Sequence, residues 1–164
     1  VYGIGDFSLA KDLHISKREA KEYINSYFDT YPDVHAFIKS LVDEARKKGY
    51  AETMFGRKRF IPELSSTNKI TQAFGERVAM NSPIQGTAAD IIKIAMVNVN
   101  RALSEAGIDA SLVLQVHDEL IIESHVSCAE KAAEILKHEM ENAVSLSVPL
   151  TADVGIGANW YDAK

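Results

Sequence analysis

The stretch Ser111–Ser124, SLVLQVHDELIIES, decides how the rest of the chain reads. Two apolar runs, Leu112–Val116 and Leu120–Ile122, flank the polar centre His117-Asp118-Glu119. Each run is too short for a stable helix and rich in Leu, Val and Ile, which suits a pair of strands. The polar centre then falls at the tip of a hairpin. A turn that only reverses the chain is more readily built from Asn-Gly or Asp-Gly, which accept positive φ. His-Asp-Glu therefore reads either as a polar turn or as an active-site turn holding carboxylates in place. The hairpin alone leaves both open.

Upstream of it, a helical pattern runs from about Thr71 to Leu103, with Gly107 closing it before the hairpin. Pro83 lies inside the pattern and should clash with the carbonyl of Ala79, so a kink or brief interruption is expected there. Arg77, Asn81 and Gln85 are spaced four apart and make one polar ladder among the apolar Val78, Ala79, Met80 and Ile84. Such a ladder suits a solvated face. It equally suits the DNA minor groove, where purine N3 and pyrimidine O2 accept hydrogen bonds in every Watson–Crick pair and Arg, Asn and Gln can donate. Downstream, Ser127 or Cys128 opens an amphipathic helix carrying Ala132, Ile135, Leu136 and Met140. Val148–Val154 is expected to be a strand, followed by Gly155, Gly157 and the aromatic tail Trp160-Tyr161.

The first third is helical. Asp6 or Ser8 can start a short helix ending near His14. Ser16 with Glu19 forms a capping box for a helix over Lys17–Thr30, which Tyr31-Pro32-Asp33 breaks. A further helix over about Val34–Lys48 stops at Gly49 after the cationic turn Arg46-Lys47-Lys48, favourable at a helix C-terminus. Tyr50–Met54 and Arg59–Ile61 can pair through a turn at Gly56. Its cations Arg57, Lys58 and Arg59 repel one another and would sit more comfortably against phosphates, with a solvated loop as the alternative. Pro62–Thr67 reads as an irregular linker.

The 164 residues are enough for one core and a small second lobe, and 46% hydrophobic with 25% charged residues suits a soluble globular protein. No apolar run approaches the length of a membrane span. The opening Val1–Asp6 lacks the features of a signal peptide and looks like an entry in mid-domain. The single cysteine, Cys128, rules out an internal disulfide and a cysteine-based zinc site, and a reducing compartment is the simpler reading. The net charge of −5 is uneven, with +5 on residues 39–101 and −8 on residues 102–164. A basic middle beside an acidic end suits a nucleic-acid surface near a metal-binding carboxylate cluster, or two ordinary solvated faces.

Together these segments resemble the family A DNA polymerases of bacteria. VYGIG at 1–5 is similar to the end of the fingers motif, and GYAETMFGRKRFIPE at 49–63 to the family's basic hairpin and following loop. ERVAMNSPIQGTAADIIKIAM at 76–96 is similar to the long palm helix, LQVHDEL at 114–120 to the palm metal-ligand motif, and NWYDAK at 159–164 to the family's ending. The resemblance covers essentially the whole chain.

It implies an α+β fold: a small antiparallel palm sheet, made of the motif hairpin and the late strand, backed by long helices, with a helical fingers remnant. It also implies partial fingers over 1–32 and the C-terminal part of the palm over 33–164. Asp118 would be the metal-coordinating catalytic aspartate and Glu119 its acidic neighbour. His117, Arg77, Asn81, Gln85, Arg57 and Arg59 would bind primer–template. Tyr2 and Gly3 would lie near the templating base and incoming nucleotide. The implied cofactor is Mg²⁺, the partners are primer–template DNA and a dNTP, and the setting is the bacterial cytoplasm and nucleoid. In the family a further palm aspartate and the nucleotide-holding Arg and Lys precede the part matched here, so the segment alone is expected to be inactive and prone to self-association through exposed apolar surface. The rivals are a non-catalytic DNA-binding fragment and a metal phosphohydrolase. For the latter, His14, His35, His125 and His138 offer no cluster with the His-Asp pair.

Overall fold

A computed structural model describes residues 3–163. The chain divides into two compact units, Val1–Thr87 and Ala88–Lys164. Tyr2, expected near the templating base, lies outside the described residues.

In the first unit the helix signals are met closely. α1 covers Asp6–Leu13 and ends on His14 in the left-handed region (φ 53°). α2 covers Lys17–Thr30, and its capping box is complete: Glu19 N–H donates to Ser16 Oγ at 3.2 Å and Ser16 N–H to Glu19 Oε2 at 2.9 Å. α3 covers Pro32–Lys48 and begins two residues earlier than its apolar pattern. Proline has no N–H to lose at a first helical position, so the residue that ends one helix starts the next. Gly49 (φ 78°) terminates α3 and leads directly into β1 (Tyr50–Glu52), which pairs antiparallel with β2 (Lys58–Phe60). The expected linker contains one 3₁₀ turn, Pro62–Ser65. Beneath these elements Ala45, Ala51, Ile61, Leu64 and Ala79 form a core, with Val42 and Val78 against it. Burying Ile61, only 1% exposed, contributes about 1.5–3 kcal/mol.

α4 spans Lys69–Ala106, and its first half belongs to this unit. Asn68 starts it, accepting from the N–H groups of Ile70 (2.9 Å) and Thr71 (3.3 Å). At Gly75 the 3₁₀ turn crosses so closely that an added Cβ would lie 2.9 Å from Leu64 N. Of the kink or brief interruption expected at Pro83, the interruption does not occur, and the helix continues through it. Helical geometry persists on both sides because fourteen residues of α4 precede the proline and many follow it, so one lost bond is local.

In the second unit β3 (Ala110–Val116) and β4 (Glu119–Ser124) form the expected hairpin. A 3₁₀ turn at Val126–Cys128 leads into α5 (Ala129–Glu141). Ala95, Val99, Leu103, Leu120 and Ala132 are buried together, with Leu112, Ile122, Ile135 and Leu136 packed on them. Cys128 donates its thiol to the carbonyls of His125 and Asp109 at 3.2 and 3.3 Å, a structural role.

The late strand is not formed. Val148–Val154 carries no strand pairing, and the described residues hold two separate two-stranded sheets rather than one. Pro149 removes a ladder donor, and the Ala152 N–H is taken at 3.0 Å by the Glu141 carboxylate. The mixed helix-and-strand class stands, with small antiparallel sheets and long helices.

Candidate active site and nucleic-acid interface

The acidic turn of the second unit is set by register. Between Leu112 and Leu114 the pairing shifts, leaving Val113 as a bulge, and beyond it Gln115 faces Leu120 and Val116 faces Glu119. A two-residue turn, His117-Asp118, closes the hairpin. Leu120 is buried, so Glu119, its neighbour on β4, projects from the opposite face. His117 has φ 52°, whereas Asp118 is not among the residues of positive φ. Positive φ at the first turn position alone is the signature of a type II′ turn, where glycine is the usual occupant. A histidine there costs on the order of 1–3 kcal/mol of backbone strain. Gln115 Nε2 donates to the His117 carbonyl at 2.6 Å. His117, Asp118 and Glu119 are all exposed.

The polar ladder lies in the first unit. Arg77 and Gln85 are exposed and Asn81 is half-buried, while Ala79 and Ser82 on the other side of the helix are buried. The Arg77 guanidinium lies 6.0 Å from the Phe74 ring centroid. Gly3 packs close to this region, its missing Cβ falling 2.7 Å from Met80 Cε and 3.4 Å from Arg77 Cγ.

The basic hairpin is bolted to the same stretch of α4. Thr53 Oγ1 accepts from the N–H groups of Arg57 (3.1 Å) and Phe55 (3.3 Å), which shapes the turn. Met54 N–H donates to Thr87 Oγ1 at 3.0 Å, and that hydroxyl donates onward to the Pro83 carbonyl at 2.6 Å. Arg57 Nη2 donates to the Gly86 carbonyl at 2.9 Å. Gly86 is required by contact, since a Cβ there would meet Thr53 Cγ2 at 2.6 Å. Lys58 lies over the Tyr50 ring at 4.6 Å, and Arg59 is exposed. Arg57 thus sits one residue from Gln85's own backbone, in an anchoring position, while Lys58 rests on Tyr50 and both Lys58 and Arg59 are exposed. Sequence reasoning missed Thr53, Gly86, Thr87 and Gln115. The lone Gly-Thr at 86–87 gave a composition signal, but nothing in periodicity told what it touches.

Among the described residues no group of three or more His, Cys, Asp or Glu is arranged to hold a metal ion. No helix among them is long and apolar enough to cross a membrane. Asp118 and Glu119 offer hard oxygen donors, and Mg²⁺ is commonly held by one or two carboxylates together with substrate phosphates. Those two residues fit such an ion in kind.

The chain thus carries an acidic hairpin turn in one unit and a polar helix ladder with a basic hairpin in the other, and comparison with known proteins supplies the class. The model for DNA polymerase family A matches residues 1–162, and the chain belongs to that family. It is 49% identical over its full length to DNA polymerase I of Caldicellulosiruptor bescii and 48% identical to that of Bacillus caldotenax. In each case it spans 19% of the relative's length. It also superposes with a TM-score of 0.94 and 44% identity on the POL domain of Pol1 from M. smegmatis in complex with DNA primer-template and dNTP, covering 99% of this chain and 29% of that one.

Proposed function

We propose that this chain forms part of a DNA-directed DNA polymerase, gripping primer–template DNA and supplying a metal-binding carboxylate to nucleotidyl transfer. In this reading residues 1–32 belong to the fingers and residues 33–164 to the palm. The observation that carries it is the acidic turn: Asp118 stands exposed at the tip of a two-residue turn whose backbone is held in a disfavoured conformation at His117. Strain of that kind persists where surrounding structure over-determines it, and it clusters at functional sites.

Asp118, with Glu119 beside it, would hold Mg²⁺. When bound, such ions activate the primer 3′-hydroxyl and offset charge on the phosphates. His117 would steady the primer terminus. Arg77, Asn81 and Gln85 would donate to minor-groove acceptors common to all pairs, which reports pair geometry rather than sequence. Arg57, Lys58 and Arg59 would lend positive charge to the phosphates, and Tyr2 and Gly3 would border the templating base and the dNTP. Two adjacent carboxylates are too few to set a pair of octahedral ions, so the chain alone performs no transfer and works with palm and fingers elements of a longer polymerase at the bacterial nucleoid. Exposed apolar side chains such as Phe7, Phe60 and Ile70 would otherwise favour self-association.

The test is a chimera in which this chain replaces the matching part of the Bacillus caldotenax polymerase. Primer extension with Mg²⁺ and four dNTPs is expected from the chimera and none from the chain alone. Asp118→Asn should lower extension by at least about 10³-fold. An Asp118→Asn chimera that still extends at the parental rate removes the reading.

A further inference from the structure

The acidic turn contains one polar contact that the proposed chemistry does not use. Gln115 stands on β3 two residues before the turn and faces Leu120 on β4. Its side-chain amide reaches forward and donates to the carbonyl of His117 at 2.6 Å. That carbonyl belongs to the peptide joining His117 to Asp118, the central peptide of the turn.

Type I′ and type II′ turns share positive φ at their first central residue and differ by a flip of the central peptide. The flip reverses the carbonyl and carries the second central residue from negative to positive φ. Here the second residue is Asp118, and it lies outside the positive-φ set. A flip would reverse the His117 carbonyl and the Asp118 N–H and loosen the turn that carries the Asp118 carboxylate. His117 gives the turn no glycine-like preference for either state, so the backbone by itself is a weak lock. A side-chain donor on the carbonyl adds to it, because the flipped state gives up that bond, a net contribution of up to about 10-fold in the balance of the two states.

We propose that Gln115 is a positioning residue: its amide holds the plane of the His117–Asp118 peptide and thereby the order of the turn that carries the Asp118 carboxylate. The consequence for transfer rests on the polymerase reading above, whereas the consequence for the turn does not.

Gln115→Met keeps length and removes the donor. Amide exchange at Val116 and Glu119, the pair that closes the turn, should speed up about 10-fold as the turn loosens. In the chimera, kcat should fall about 10-fold to 100-fold, since small misplacements of a reacting group cost that much. Primer–template Kd should stay within about twofold, because a positioning role acts on the reacting geometry and not on uniform binding. Adding His117→Gly, which favours the type II′ geometry intrinsically, should restore slow exchange in the Gln115→Met background. Unchanged exchange in Gln115→Met overturns the proposal, and so does a weaker primer–template Kd at unchanged kcat, which would mean direct DNA contact. If Asp118→Asn proves fully active while Gln115→Met still loosens the turn, the polymerase assignment of Asp118 fails and the positioning of the turn stands. If the chimera does not fold, the exchange measurements on the chain itself decide.

Discussion

At the tip of the β1–β2 hairpin the chain spends five residues on its turn, and side chains tie it outward to α4: Arg57 to the Gly86 carbonyl, Met54 N–H to the Thr87 hydroxyl. At the tip of the β3–β4 hairpin two residues close the turn, and the bond that steadies it, from Gln115 to His117, comes from within the hairpin. The basic tip is thereby made part of a packed assembly with a glycine at its contact point. The acidic tip is exposed to solvent, and register, a bulge and the Gln115 amide contribute to its order. A charged surface that meets a long polymer tolerates small displacements. A carboxylate that meets an ion does not, and it must also keep open coordination sites. Local bracing inside a short turn satisfies both demands at once.

The widest separation between the two hairpins should appear in the balance of activity against stability. Asp118→Asn, which should abolish extension, is expected to change the unfolding free energy by no more than about 0.5 kcal/mol, as for other exposed positions. Denaturant melts of the chain would check it, and a large loss of stability would mean that the acidic tip is a structural turn after all.

Gly86→Ala tests the opposite case. The new Cβ meets Thr53 Cγ2, and Thr53 cannot rotate away without dropping the two amides that its hydroxyl holds. Overpacking of this kind costs about 1–3 kcal/mol, offset by up to about 1 kcal/mol of helix propensity. The Thr53→Ser background keeps the hydroxyl and removes the methyl, so there Gly86→Ala should become neutral or stabilising. Equal effects in both backgrounds would sink the contact argument.

A smaller contrast lies within the basic turn. Lys58→Ala or Arg59→Ala should each reduce the slope of log affinity against log salt by about 1 for primer–template binding by the chimera. Arg57→Ala should in addition lower the melting temperature, because its guanidinium holds the Gly86 carbonyl. An unaltered slope in all three variants would place the turn away from phosphates.

The smallest expected effect is a reference point distant from both tips in sequence. The bonds from Ser16 hold the Glu19 carboxyl below its ordinary value of 4.5. A depressed carboxyl contributes stability that is fully present above the unfolded value and is lost as pH falls through the folded one. Protection of the amides at the start of α2, measured against their intrinsic exchange rates at each pH, should therefore fall on acidification below about pH 4.5, and Ser16→Ala should flatten that dependence while leaving both hairpins unaffected.

Much of this was legible from local chemistry. The capping box, the proline and glycine helix boundaries and the alternation flanking His117-Asp118-Glu119 each encode a structure within a few residues, and α2 follows its signals to the residue. The interruption allowed at Pro83 and the strand at Val148–Val154 are absent for a shared reason: a helix or strand signal is a preference that neighbours can overrule. The long helix absorbed one missing bond, and the Glu141 carboxylate took an amide that a strand would have needed. The candidate site divides along the same line. The sequence by itself determined which residues carry carboxylate, guanidinium and amide groups and on which elements they sit, because those properties follow from composition and period. Only the tertiary structure decided that Gly86 receives Thr53 and that Arg57 is an anchor, because each depends on one atom meeting another brought near by folding.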